Sequence, residues 1–300
     1  MNAKRAIELA SENKIIIPAF NIPYLPMVKS VISAIIDENS FAMIQVAKVE
    51  WKQFESGSMR AVRDEYMKYA NEKHTLLHLD HIPVIDEEMM KVDYIPLIKE
   101  AIELGYQSVM IDASRLSLDD NIEATAKVAK LAHEANLPCE AELGAVMGHE
   151  NIQLPPYEEI FASKKGFTNL EEAERFALES GCDWLSVAIG NIHGAVAEAV
   201  RHQKKPIAKL DIEHLKKLQE ATKMPIVLHG GSGIEQKYIL EAMQNGIAKI
   251  NVGTEIRQAY EETLAQTCNI EAARQAVYER TRFLIKDFYH ISNTANIICN

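Results

Sequence analysis

Eight times along the chain, a short β-rich run ends in a polar or glycine-containing stretch and gives way to a helical one. The runs are IIIPAFNI (15–22), FAMIQVA (41–47), TLLHLDH (75–81), SVMIDAS (108–114), CEAELGAV (139–146), WLSVAIGNIHG (184–194), PIVLHGGSG (225–233) and AKINVGTE (248–255). Several begin directly after a helix-stop signal: ELGYQ, ANLP, ESGCD, TKMP or QNGIA. Helical segments such as NIEATAKVAKLAHEA and NLEEAERFALESG lie between them, the second with Thr168 or Asn169 as its cap. This alternation predicts an α/β fold: a single parallel (β/α)8 TIM barrel over 1–300, with a C-terminal helical extension at 256–300 within it. An open doubly wound sheet is the alternative, but no GxGxxG turn follows the first run.

Composition narrows the partners. The chain of 300 residues is 47% hydrophobic and 25% charged, enough to bury one large core. Its net charge of −11 and the absence of a basic run argue against nucleic acid and membrane surfaces as partners. No apolar run is long enough to cross a bilayer, and MNAKRAIELASENK has no signal-peptide h-region. Cys139, Cys182, Cys268 and Cys299 are scattered, with no CxxC pair. That argues for a reducing cytosol and against a disulfide frame or a cysteine-built zinc site, so a cytoplasmic protein is expected.

In a barrel the C-terminal strand ends converge on one face. Here they carry His78, Asp80 and His81 (third run), Asp112 and Ser114 (fourth), Glu140 and Glu142 (fifth), His193 (sixth), His229 (seventh), and Asn251 with Thr254 (eighth). Any one histidine is most simply a hydrogen-bonded strand-end residue. His81, His193 and His229 together, on three different strands, suit zinc (Zn2+) or another divalent transition metal with an open fourth position. Asp80 beside His81 fits either a general acid or base or a carboxylate orienting an imidazole. Glu142 fits a further ligand, a support for one, or a buried partner for a lysine. The long connection 147–167 carries Glu150, either a lid carboxylate that moves a proton or a solvated loop glutamate. GGSG after the seventh run and NVGTE after the eighth offer backbone N–H groups where barrels often hold phosphate.

In order, HLDH, SVMID, EAELG, AIGNIHG, LHGGSG and KINVGTE, with AFNI near the start, resemble the motifs of the class II, metal-dependent fructose-bisphosphate and tagatose-bisphosphate aldolases. The resemblance spans about Ile17 to Thr254. It implies a (β/α)8 barrel, a zinc-type ion and reversible cleavage of a ketose (bis)phosphate to dihydroxyacetone phosphate and an aldehyde. A monovalent cation and a homodimer or homotetramer also come with it. Carried over, His81, His193 and His229 hold the metal, with Glu142 as an additional ligand. Asp80 handles the C4 hydroxyl proton, and Glu150 acts at the ketone-side carbon. Asn21, Gly194, Gly230, Gly231, Ser232, Asn251, Gly253 and Thr254 surround the phosphate and ketone end.

The departures fall on the parts that hold the substrate ends. AKVEWKQFESGSM replaces a small Ser/Thr/Gly-rich stretch after the second run, and AVAEA follows His193–Gly194 where relatives carry an aromatic residue and a lysine. Arg115 stands where a histidine is common. Lys48 and Arg115 are therefore expected to face the mouth, either gripping an anionic substrate group or pairing with carboxylates such as Glu50 and Asp119. A sugar-phosphate epimerase or hydrolase on the same barrel, or a non-catalytic partner subunit, are the rival functions.

Overall fold

The computed structural model describes residues 2–146, 156–192 and 207–299. Eight strands, β1 (Ile17–Asn21), β2 (Ala42–Ala47), β3 (Thr75–Pro83), β4 (Ser108–Asp112), β5 (Cys139–Leu143), β6 (Trp184–Val187), β7 (Ile226–Leu228) and β8 (Ile247–Val252), lie where the eight runs predict them. All pairings are parallel and in chain order, and β8 closes onto β1 through Ile17–Lys249, Pro18–Ile250, Ala19–Asn251 and Phe20–Val252. This is a closed (β/α)8 barrel, so the doubly wound alternative is set aside. Six strands end earlier than their runs because the polar and glycine-containing residues at those run ends form the connecting loops, whereas β2 ends with its run at Ala47 and β3 continues to Pro83.

Helix ends follow local chemistry. Asn2, Ser117, Asn169 and Asp211 accept backbone N–H groups from the first turns of Ala3–Glu12, Leu118–Glu134, Leu170–Glu179 and Ile212–Thr222. Of the two candidate caps at 168 and 169, Asn169 is the one used. Tyr94–Leu104 stops at Gly105, whose φ of +81° suits a residue without a Cβ.

The floor of the barrel is apolar. Met43, Leu76, Trp184, Val227 and Ala248, near the strand starts, are buried against Ala3, Ala6, Ile7 and Ala10 of the first helix. Further up the inner wall the residues turn polar: Gln45 on β2, His78 and Asp80 on β3, Glu140 and Glu142 on β5, His229 after β7, and Lys249 and Asn251 on β8 are all buried. The C-terminal part is helical as predicted, starting at Thr254: Thr254–Thr267, Ile270–Phe283, a π-helical turn Leu284–Phe288 and Ala295–Ile298. Ile270–Phe283 packs on both Thr254–Thr267 and Met27–Asp37.

Candidate active site

Successive side chains on a strand face opposite ways, yet Asp80 and His81 both reach the mouth. The β3–β4 register slips between Leu79 and Ile82, and His81 adopts φ +31°. This left-handed conformation is unfavourable for a residue with a Cβ and concentrates at functional sites. His81 then meets His229, just past β7, with ring centroids 4.5 Å apart and planes at 60°. Ligand atoms of Asp80, His81 and His229 all lie within 4.8 Å of one another.

Carboxylates orient both rings. His81 Nδ1 lies 3.3 Å from Asp112 Oδ2, and Asp112 Oδ1 accepts from the Ser114 N–H and hydroxyl at 3.1 and 2.7 Å. His229 sits between two glutamates, its Nε2 2.8 Å from Glu140 Oε1 and its Nδ1 2.8 Å from Glu142 Oε2. Ser186 also donates to Glu142 at 3.2 Å. Glu140 is shared further: Lys249 Nζ lies 2.9 Å from its Oε2, and the Trp184 indole N–H donates to the same oxygen. The buried lysine partner on β5 is thus Glu140 rather than Glu142. Asp80 collects amides: Asn21 Nδ2 at 2.9 Å and Gln45 Nε2 at 3.2 Å on Oδ2, and Asn251 Nδ2 at 2.9 Å on Oδ1.

This arrangement polarises the titrations. Burial works to lower the His81 pKa, but the charges of Asp80, Asp112 and Glu142 and the Asp112 hydrogen bond outweigh it and raise it to about 10. Burial works to raise the carboxyls of Asp80 and Glu140, but His81 and Lys249 hold the first below its ordinary value, and Lys249 and His229 hold the second well below. Burial and Lys249 push the deeper His78 down to about 3. The donors suit a divalent transition metal. Two imidazoles face each other among the buried carboxylates Asp80, Glu140 and Glu142, whose charge a divalent ion can balance in place of the ring protons.

Beside this centre, the seventh and eighth loops are stapled together. The Gly231 N–H donates to the Asn251 carbonyl at 3.0 Å, and the Glu255 N–H donates to Ser232 Oγ at 3.3 Å. A Cβ at Gly231 would stand 2.4 Å from Ile250 Cγ1, so only glycine fits this approach. Gly253 precedes the helix Thr254–Thr267.

The match to the class-II fructose-bisphosphate aldolase family model runs over residues 1–295. The chain belongs to the class II fructose-bisphosphate aldolase family. A fructose-bisphosphate aldolase of Helicobacter pylori J99 is 31% identical over 277 residues, covering 84% of this chain and 82% of that protein. One from Staphylococcus epidermidis RP62A is 29% identical over 293 residues, covering 93% of each. The crystal structure of the YdjI aldolase from Escherichia coli K12 superposes with a TM-score of 0.75 at 27% identity, over 97% of this chain and 98% of that one. The protein is therefore an aldolase, a carbon–carbon lyase of the metal-dependent class.

In this aldolase, Asp80, His81, Glu142, His229, Asn21 and Asn251 converge as the sequence suggests. His193, Gly194 and Glu150 lie outside the described residues. Asn191, two residues before His193, donates to the His229 carbonyl at 3.0 Å and so ties the end of the sixth run to the seventh. Lys48 and Arg115 stand at the rim, but with other partners than Glu50 and Asp119. Lys48 Nζ lies 3.1 Å from Asp86 Oδ2, and the Arg115 guanidinium donates to the Ile85 and Asp86 carbonyls. Asp119 pairs instead with Arg175 at 2.7 Å. Sequence reasoning missed Gln45, Lys249 and Asn191. A charged residue inside the apolar run IAKINV was the available signal for Lys249.

Proposed function

We propose that this aldolase reversibly cleaves a ketose phosphate to dihydroxyacetone phosphate and an aldehyde. A fructose bisphosphate is the substrate in the names of its Helicobacter pylori and Staphylococcus epidermidis relatives, and fructose 1,6-bisphosphate is the one proposed here. The observation carrying this reading is the slipped β3 end, which turns Asp80 and His81 together toward His229 in a chain of this family. His81, His193 and His229 hold the ion, zinc by the nature of the donors, with Glu142 in reach of the same centre. When bound, the ion supplies Lewis acidity for polarising the substrate carbonyl. Asp80 takes the C4 hydroxyl proton as the C3–C4 bond breaks, and its amide neighbours hold it in place. Glu150 exchanges the proton at the ketone-side carbon. Gly194, Gly230, Gly231, Ser232, Asn251, Gly253 and Thr254 line the phosphate and ketone end with Asn21, and a monovalent cation accompanies the phosphate.

The rival epimerase and hydrolase chemistries give no triose product, and a non-catalytic subunit gives no turnover at all. Trapping the triose product separates all three from cleavage. Exhaustive chelation should abolish cleavage, and added zinc should restore it. Full turnover in protein with no metal by elemental analysis would overturn the metal mechanism and require a lysine Schiff base. We also propose a homodimer or homotetramer in the cytoplasm. Exposed Met89, Leu178 and Ile207 offer apolar surface for such a contact, and a monomer in sedimentation equilibrium would refute it.

A further inference from the structure

The wall of the mouth formed by β2 and the helix Lys48–Gln53 carries a carboxyl group that the chemistry above does not use. Glu50, in the first turn of that helix, is only 6% exposed. Its Oε2 accepts the Ala47 N–H at 2.8 Å, and Ala47 stands opposite Asp80 in the β2–β3 register. Asn21, which donates to Asp80, also favours the charged form of the Glu50 carboxyl. Burial, then the charge of Asp80, pushes Glu50 up to about 8.

The phosphate cradle lies at the seventh and eighth loops, and Asp80 meets the C4 hydroxyl in the reading above. The remainder of the aldehyde half therefore extends past Asp80, toward Glu50 and the rim. Among the described residues, the two cations at that rim, Lys48 and Arg115, are already engaged. Lys48 faces Asp86, Arg115 serves the Ile85 and Asp86 carbonyls, and the N–H of Ala47, just before the helix, is taken by Glu50 itself. Once Glu50 is ionised, a phosphate would meet two carboxylates in a partly dry cleft, whereas sugar hydroxyls can bond to the same carboxyl and amide groups. We propose that Glu50 sets specificity at the aldehyde end, so that this aldolase prefers ketose 1-phosphates with an uncharged polyol half over 1,6-bisphosphates. The inference rests on the aldolase reading above, with Asp80 at the C4 hydroxyl.

The test compares kcat/KM for fructose 1-phosphate and fructose 1,6-bisphosphate at pH 9.5, well above the raised Glu50 value of about 8. Glu50→Gln keeps an oxygen to accept the Ala47 N–H, so a purely capping role would leave specificity unmoved. The wild type should favour the monophosphate by roughly tenfold or more, and Glu50→Gln should narrow that ratio at least about fivefold through a gain on the bisphosphate. A wild type that favours the bisphosphate, or a ratio that stays within about twofold in the variant, overturns the proposal. Exchange of the dihydroxyacetone phosphate C–H proton with solvent in the wild type checks the underlying reading separately. Without metal-dependent exchange the aldolase reading falls, and the inference with it. With exchange and an unmoved ratio, only the role of Glu50 falls.

Discussion

Asp80 is held by three amide donors, one each from Asn21, Gln45 and Asn251. Such a pocket accepts an ionised carboxylate and nothing that donates. Asp80→Asn turns an NH2 group toward at least one of those amides while keeping the size. Cleavage should fall by about 10²-fold or more, with stability reduced by about 1–3 kcal/mol for the mismatched donor. Urea denaturation read beside single-turnover cleavage separates the two effects. Turnover at the wild-type rate would reduce Asp80 to a scaffold. The pairing of Asp80 with His81 was visible in HLDH, but the means by which neighbours face the same way was not. Strand alternation is a local rule, and the slip that breaks it belongs to the β3–β4 pairing.

The strands are where local patterning is strongest, and all eight were legible for that reason. Each is a short apolar run bounded by helix-stop residues, and parallel pairing in chain order follows from the alternation itself. The loops between them were legible only in part. GGSG declared a tight approach, and the approach is real: a Cβ on Gly231 would fall 2.4 Å from Ile250 Cγ1 and 2.8 Å from the Asn251 carbonyl oxygen. Gly231→Ala should force the seventh loop off β8, at about 1–3 kcal/mol of stability, and raise KM for the ketose phosphate more than it lowers kcat. An unchanged KM would detach this loop from substrate. The partner of Lys48 could not be read from sequence, because Asp86 arrives from a different connection and nothing near Lys48 marks it. Glu50, the neighbour that sequence proximity suggests, is occupied by the helix start instead.

At the scale of the molecule, an ion held by the folded site and not by the unfolded chain adds stability, about 4 kcal/mol at a thousandfold excess over Kd. Zinc should therefore raise Tm by on the order of 10 °C over chelated protein in scanning calorimetry. The gap has a pH sign. The raised His81 pKa gives the metal-free protein a contribution that is complete below 6.5 and lost as pH climbs through about 10. The ion competes with that same proton, so the Tm gap should widen from pH 6.5 toward 10. A gap that narrows with rising pH would contradict the protonated His81 of the metal-free site. Trp184 gives a way to watch this. Its indole hydrogen bonds to the Glu140 oxygen pair that also faces His229 and Lys249, at the base of the site. Only Trp51 shares its absorbance, so in a Trp51→Phe protein the emission comes from one indole two contacts away from the metal position. A redistribution of charge on His229 is felt at that ring through their shared partner Glu140. The enzyme thus carries a built-in fluorescent gauge of occupancy, readable without substrate.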